Sequence, residues 1–139
     1  MQLSTNTLPI PVIAIFDIGK TNKKVFLLDE QYSIQWEISV KFDEILDEDA
    51  FLCDDIQVLT KWIKDTFTFV MGMQEFEIRA VNFSAYGASF VHLNDQGTPF
   101  LPLYSYLKPY SPDLHKSFYN DYGGEIKFAM ETASPVLGN

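Results

Sequence analysis

The stretch PVIAIFDIGKTNKKVFLLDE, residues 11–30, holds two apolar runs separated by a short polar turn, and it determines the predicted fold. Residues 11–19 are rich in β-branched side chains and are apolar on both faces, as in a central strand. Residues 24–30 resume the apolar pattern after the turn. Residues 32–40 then alternate partly between apolar and polar side chains, which indicates a strand with one wet face. The first forty residues therefore predict an antiparallel meander of three strands.

The turn between the first two strands concentrates the scarce positive charge of the chain. Ten Lys and Arg residues stand against nineteen Asp and Glu, and three of the ten are Lys20, Lys23 and Lys24. Gly19 permits a tight turn whose backbone amides can approach an anion. The pattern is therefore typical of a phosphate site. An ordinary hairpin whose lysines protect a sheet edge is the alternative interpretation.

Side chains around this glycine match the chemistry of a phosphate bound together with a metal ion. Lys20, Thr21, Asn22 and Lys24 carry hydrogen-bond donors, which suit phosphate oxygens. Asp17 stands at the predicted end of the first strand. Its carboxylate could hold Mg²⁺ through water, because that ion keeps several of its waters in protein sites.

Length, charge and composition limit the class of protein. A chain of 139 residues with 47% apolar side chains is predicted to form one domain with a sizeable core. The net charge of −9 argues against nucleic acid as a partner, because phosphate neutralisation dominates that affinity. The sequence contains no polybasic segment, signal peptide or long apolar run, so no membrane partner is expected. The single cysteine, Cys53, fits a reducing cytoplasm.

An acidic segment precedes the first predicted helix. Residues 41–55 carry seven Asp and Glu, which suggests either a metal or acid–base cluster or a solvated connection to the helix. We favour the connection, because no histidine or second ligand set accompanies the carboxylates. Asp54 is the expected N-cap, with Gln57 in capping-box position. Apolar residues at helical spacing then predict an amphipathic helix over 55–71 that ends at Gly72 and covers one sheet face.

The second half of the chain predicts two more strands and a second helix. Residues 78–87 read as a strand, and the order strand, helix, strand predicts a crossover with parallel pairing to the first strand. Residues 89–95 are expected to form a further strand. Ser111 is the expected N-cap of a helix over 111–122, which the glycine pair beginning at Gly123 should end.

Three segments together resemble one protein family. They are IAIFDIGKTNKKVFLLDE (13–30), VNFSAYGASFVHLNDQGTPFLPLYSYLKPY (81–110) and TASPVLGN (132–139). In this order they are similar to the FGGY carbohydrate kinases, which belong to the actin/hexokinase/Hsp70 superfamily. The resemblance implies an α/β, ribonuclease H-like (actin-like ATPase) domain with a mixed sheet, in which three antiparallel strands precede a helix crossover. It also implies that residues 1–139 are the N-terminal part of an incomplete sugar-side domain, with the nucleotide-side domain absent.

The resemblance assigns the first segment to phosphate and metal. Asp17 matches the acid that is associated with Mg²⁺. The phosphate turn would comprise Gly19, Lys20, Thr21 and Asn22, closed by the basic residue Lys24. Lys20 stands where many members of the family have threonine. Its ammonium could contact phosphate directly or pair only with a carboxylate.

The resemblance assigns the second segment to the sugar. Tyr86, Gly87, Ala88 and Ser89 stand where other members carry polar sugar contacts, and most of these side chains are small here. Tyr104 and Tyr106 match an aromatic segment near the sugar, and aromatic rings suit the C–H faces of sugars. Packing in a core or an interface is the alternative interpretation for these two tyrosines.

The activity implied is ATP-dependent transfer of the γ-phosphate to a hydroxyl of a pentose, deoxyhexose or related sugar, with ATP and Mg²⁺ as cofactors. The family's catalytic base, an Asp, would lie beyond Asn139, so we expect no catalytic residue in this chain and no activity from the chain alone. The alternative is a non-catalytic carbohydrate-binding module that uses Tyr104, Tyr106 and Tyr110. We further expect the chain to self-associate, because its apolar strands need two covered faces.

Overall fold

A four-stranded mixed sheet with one helix across it forms the centre of the computed structural model, which describes residues 8–134. The helices are α1 (Ile56–Met71), α2 (Pro112–Asp121) and α3 (Glu125–Thr132). The strands are β1 (Ile10–Ile18), β2 (Lys23–Leu28), β3 (Ile34–Val40), β4 (Ile45–Leu46), β5 (Leu52–Cys53) and β6 (Phe76–Ala85).

The order of the main sheet is β3-β2-β1-β6, and it confirms both predicted pairings. β1, β2 and β3 form the antiparallel meander. β6 returns after α1 and pairs with β1 in parallel, as a strand–helix–strand crossover requires. The chain therefore has the α/β architecture with a mixed sheet that the sequence predicts.

The core lies between the sheet and α1. Alternate residues of β1 face the helix and are buried, and they include Val12, Ala14 and Phe16. Leu59 and Val70 of α1 are buried against them. Each large apolar side chain removed from water in this way stabilises the fold by about 1.5–3 kcal/mol. The helix thus covers one face of the sheet, as its apolar spacing predicts.

The N-cap of α1 is Asp55, and the prediction of Asp54 is wrong. The Asp55 carboxylate accepts hydrogen bonds from the backbone N–H groups of Gln57 at 2.8 Å and Val58 at 3.2 Å. Asp54 cannot serve here because its carboxylate is occupied by donors from distant parts of the chain. The helix ends at Gly72 as predicted, although the backbone there is right-handed, with φ −90°.

The acidic segment is more ordered than a solvated connection. β4 and β5 pair as a short antiparallel ribbon inside it. Asp47 and Asp54 are buried, because lysines from other parts of the chain neutralise them. Among residues 8–134, no group of three or more His, Cys, Asp or Glu side chains could hold a metal ion.

The strand predicted over residues 89–95 does not form. This segment contributes only an isolated bridge between Leu93 and Pro99. The Asn94 side chain accepts hydrogen bonds from the N–H groups of Gln96 and Thr98 at 3.0 and 2.9 Å and bends the chain into a turn. Local hydrogen bonding by an asparagine thus overrides the strand preference of the apolar residues.

The C-terminal region folds as two short helices. Ser111 caps α2 as predicted, accepting from the N–H of Leu114 at 3.1 Å. Two glycines with positive φ, the first being Gly123, follow α2. The sequence did not predict α3, which packs on α2 through contacts of the Phe128 ring with three aromatic rings.

No helix within the described residues combines the length and the apolar character needed to cross a bilayer. The third segment of the family resemblance, 132–139, lies outside the described residues from position 135 onward.

Candidate functional site

The turn between β1 and β2 requires a glycine at its first position. A Cβ atom added to Gly19 would lie 2.6 Å from the backbone oxygen of Asn22, closer than any side chain allows. Thr21 and Asn22 are exposed at the tip of this turn. The backbone therefore makes a tight approach here while the following residues remain open to a ligand.

Asp17 and Lys24 lie side by side on the sheet face that α1 does not cover. They are register partners across β1 and β2, and directly opposed residues of an antiparallel pair point to the same face. Ser84 of β6 is the neighbour of Asp17 on the other side. Among residues 8–134, no hydrogen bond or ion pair engages the half-buried Asp17 carboxylate. This carboxylate is therefore available to a cation or a water shell.

Lys20 is engaged by two carboxylates. Its Nζ donates to Oε1 of Glu44 at 2.6 Å and to Oδ2 of Asp54 at 2.9 Å. Burial by itself would lower the pKa of Lys20, but these hydrogen bonds and charges outweigh it and raise the pKa above its ordinary value. In the structure the Lys20 ammonium is thus paired with carboxylates.

Asp54 accepts hydrogen bonds from three side chains in two parts of the chain, the turn and the residue after β6. Lys23, which is only 1% exposed, donates to Oδ1 of Asp54 at 2.8 Å and to the backbone oxygen of Lys20 at 2.9 Å. The Tyr86 hydroxyl donates to Oδ2 at 2.7 Å. Burial opposes the ionised form of Asp54, yet these donors hold its pKa below the ordinary value. Residues Lys20, Lys23, Asp54 and Tyr86 are called the Asp54 cluster below.

The Asp54 cluster connects the turn to the second segment of the sequence. The Tyr86 N–H donates to the backbone oxygen of Ile18 at 3.1 Å, which extends the β1–β6 pairing toward the turn. Burial raises the pKa of the Tyr86 hydroxyl strongly, and the hydrogen bond to Asp54 adds to the shift. Tyr86 therefore stays protonated and holds the start of the second segment beside the turn.

A cleft of about 640 Å³ brings most of the predicted sugar residues together. Ala88, Ser89, Tyr104 and Tyr106 all line it. The Tyr86 ring lies beside it, with its centroid 6.3 Å from that of Tyr106. The structure thus gathers residues from positions that are about 15 apart in the sequence.

Lys108 and the acidic residues behind it are the part of this cleft that sequence reasoning missed. Lys108 lines the cleft, and its Nζ donates to Oδ2 of Asp47 and to Oδ2 of Asp49, both at 2.7 Å. The Tyr104 hydroxyl donates to Glu48. The sequence held one signal for this arrangement, since residues 41–55 carry seven carboxylates and a single cation, Lys41.

The two parts of the candidate site offer different chemistry. The turn presents exposed polar side chains and a backbone that requires glycine. A carboxylate and an ammonium lie beside it. This combination suits an anion to which a cation is bound. The cleft presents aromatic rings and hydroxyl groups, which suit a polyhydroxylated ligand.

Comparisons with known proteins support the fold. No family model matches the sequence, and no curated protein matches it. Three solved kinase structures are similar to it. The Plasmodium falciparum glycerol kinase with ADP superposes with a TM-score of 0.65 over 82% of this chain, at 16% identity. The gluconate kinase and the ligand-bound xylulose kinase from Lactobacillus acidophilus each give a TM-score of 0.59 over 82% of the chain, also at 16% identity.

At this low identity, the superpositions show that the fold is shared. The chain spans 24% of the glycerol kinase and 22% of each of the other two kinases. Its α/β fold is therefore similar to that of one part of each enzyme. That part makes up less than a quarter of the enzyme's length.

Proposed function

We propose that the chain is the N-terminal part of the sugar-side domain of an FGGY-type carbohydrate kinase with the ribonuclease H-like, actin-like fold. In the intact protein the reaction would transfer the γ-phosphate of ATP to a sugar hydroxyl. The observation that carries this proposal is the turn at Gly19, which admits only glycine and lies beside the unpartnered carboxylate of Asp17. The buried, unpaired thiol of Cys53 is consistent with the cytoplasmic location that we propose.

The turn would bind phosphate through its backbone and polar side chains. Thr21 and Asn22 are exposed, and Lys24 lies opposite Asp17. Lys20 would act indirectly, because its ammonium is committed to Glu44 and Asp54. Through these ion pairs Lys20 would hold the turn in place and leave direct contact with the phosphate to other residues.

Asp17 fits the chemistry of a magnesium site. Mg²⁺ is commonly held by one or two carboxylates together with waters and substrate phosphates, and a half-buried carboxylate without a protein partner meets that description. When bound, the ion would offset the negative charge of the phosphates. Asp17 would hold and orient its water shell, and Lys24 would keep the phosphate on the same sheet face.

The cleft would bind the sugar. Tyr104 and Tyr106 would pack against its C–H faces, while Ala88 and Ser89 would leave room for its hydroxyl groups. Gly87 is not among the residues that line the cleft, although the space beside it is open, since nothing lies within 4 Å of a Cβ placed there. Tyr86 would support the cleft through its ring, because its hydroxyl is bound to Asp54.

A carbohydrate-binding module without nucleotide chemistry is the second candidate. It is favoured by one observation, that Tyr110 lines the same cleft as Tyr104 and Tyr106. Both candidates predict sugar binding, so binding of phosphate by the turn distinguishes them.

The test is a pair of titrations of the isotope-labelled 139-residue chain, followed by NMR. Pentoses and polyols should shift signals of Ser89, Tyr104 and Tyr106. Magnesium pyrophosphate or MgADP should shift the amides of residues 19–22 if the chain is part of a kinase, and should not if it is a binding module. A chain that responds to neither ligand class would contradict both candidates.

A pair of glycine variants provides the control. Gly19→Ala should remove the pyrophosphate response and keep the sugar response, because only the turn is disturbed. Gly72→Ala should leave both responses unchanged, since a Cβ there meets carbonyl oxygens at an ordinary 3.5 Å.

Turnover by the isolated chain is not expected. Phosphoryl transfer requires both substrates to be positioned together, and the chain spans at most 24% of the kinases that it resembles. A coupled ADP-release assay with a sugar panel should therefore match the no-protein control. Turnover above that control, abolished by Asp17→Ala, would contradict this expectation.

A further inference from the structure

Within the described part of the protein, the basic side chains that line the cleft are those of Lys108 and His92. Of the residues that line it, only Lys108 is a lysine or arginine. A carboxylate on a ligand would need this ammonium as its counter-ion, because burying an unpaired charge is costly. Whether the Lys108 ammonium is already paired with a carboxylate of the protein therefore affects which ligands the cleft accepts.

The ammonium of Lys108 is already neutralised by the protein. Asp47 and Asp49 each accept a hydrogen bond from it at 2.7 Å. The Asp47 side chain is buried beneath it. The Lys108 ammonium also lies 4.8 Å from the centroid of the Tyr104 ring. A ligand carboxylate would have to displace one of these carboxylates, at the expense of leaving that carboxylate unpaired.

The acidic residues behind the cleft carry an excess of negative charge. Glu48, which accepts the Tyr104 hydroxyl, adds a third carboxylate to Asp47 and Asp49. Three carboxylates and one ammonium leave two negative charges in excess beside the cleft. Residues 47–49 are called the acidic loop below.

The acidic loop is held in one arrangement. Oδ1 of Asp47 accepts from the N–H groups of Asp49 and Phe51, both at 2.9 Å. Lys108 holds Asp47 below its ordinary pKa, chiefly through their hydrogen bond, so this carboxylate stays ionised at neutral pH. The fold therefore fixes Asp47 against Lys108, and the excess negative charge lies on the exposed carboxylates of Glu48 and Asp49.

On the basis of the proposed sugar site, we infer that the acidic loop makes the cleft selective for neutral sugars and polyols over sugar acids. Like charges placed close together in a partly desolvated site disfavour binding. Hydroxyl groups carry no charge, so the negative field does not oppose them. A sugar acid finds a repulsive field and no free ammonium or guanidinium group among the residues that line the cleft.

The experiment compares ligands that differ only in a terminal group. Binding of xylitol against xylonate, and of glucitol against gluconate, is measured by NMR titration of the 139-residue chain. We expect the neutral partner to bind at least about tenfold more tightly, which is the scale of a single close charge repulsion. Added salt should reduce the difference in affinity between the neutral ligand and the acid, because it screens partly exposed charges.

A matched pair of variants tests the role of the loop itself. Asp49→Asn removes one exposed charge and keeps an oxygen that can accept from Lys108, so aldonate affinity should rise several-fold while polyol affinity stays within about twofold. Asp65→Asn is the control. Asp65 is also paired with a lysine and its side chain is equally exposed, at 63%, but it lies on α1 away from the cleft.

Each outcome decides one question. Equal or tighter aldonate binding in the wild type would overturn the charge selection and leave the proposed sugar site in place. An Asp49→Asn chain that binds both classes as the wild type does would show that the loop does not select. If neither class binds, the proposed sugar site is wrong and the inference is wrong with it.

Discussion

Asp54 shows how much a single buried carboxylate can organise. Its two oxygens accept from Lys20, Lys23 and Tyr86, which join the turn, the start of α1 and the end of β6. The sequence could not predict this role, because the partners lie 31 to 34 positions away. From local spacing alone, Asp54 looked like a helix cap, a position that its neighbour Asp55 occupies.

Replacing Asp54 and Asp55 separately should give very different results. Asp54→Asn leaves the buried ammonium of Lys23 without a carboxylate, and breaking a buried ion pair in this way costs about 3–5 kcal/mol. Asp55→Asn keeps a side chain that caps helices about equally well, so it should cost less than about 1 kcal/mol. Urea unfolding of each variant measures the change in the free energy of unfolding. Equal losses would mean that the Asp54 cluster contributes little to stability.

Acid should destabilise the protein through the same carboxylates. The pKa values of Asp54 and Asp47 are lowered in the folded state, whereas an unfolded Asp titrates near 3.9. Their stabilisation is therefore complete above about pH 4 and is lost as the pH falls through the lower folded values. Urea unfolding over a pH series should show this decline. Below about pH 4, the free energy of unfolding should fall less steeply with pH in Asp54→Asn than in the wild type. An unchanged slope would contradict the role assigned to Asp54.

The sheet is the part of the fold that the sequence predicts best. The apolar patterns of β1, β2 and β3 are local, and the meander and the parallel return of β6 both follow from them. The segment 89–95 was mispredicted because apolar residues such as Phe90 give it the sequence pattern of a strand, although they are exposed in the structure. The ribbon of β4 and β5 was not predicted. The loop that joins its strands is paired with Lys108, about 60 positions away, and local patterns do not reveal such a distant contact.

Neighbouring residues of β1 should respond differently to truncation. Phe16 is fully buried and its ring stacks on that of Phe83 with centroids 4.9 Å apart, so Phe16→Ala should cost about 3–5 kcal/mol. Ile13 belongs to the opposite, uncovered face of the strand, and Ile13→Ala should cost less than about 1 kcal/mol. Denaturant unfolding gives both values. A large cost at Ile13 would show that something covers that face in solution.

At the scale of the whole molecule, the described residues leave much apolar surface open. α1 covers one face of the sheet, and β6 pairs only with β1 among the described strands. α3 exposes Ile126 and Met130, the latter at 81%. Soluble monomers rarely expose apolar patches larger than a few hundred Å², and an unpaired strand edge invites pairing with another chain.

We therefore expect copies of this chain to associate, with β6 as the pairing edge. Light scattering at micromolar concentration should give a mass above that of one chain. Ala80→Lys, which places a charge on the edge strand β6, should shift the protein toward the monomer, because charges on edge strands oppose pairing. Thr68→Lys adds the same charge on the exposed side of α1 and should leave the mass unchanged. A monomer with a cooperative melt and no dye-binding apolar surface would contradict the expectation, because such a chain would not need a second copy to keep its apolar side chains from water.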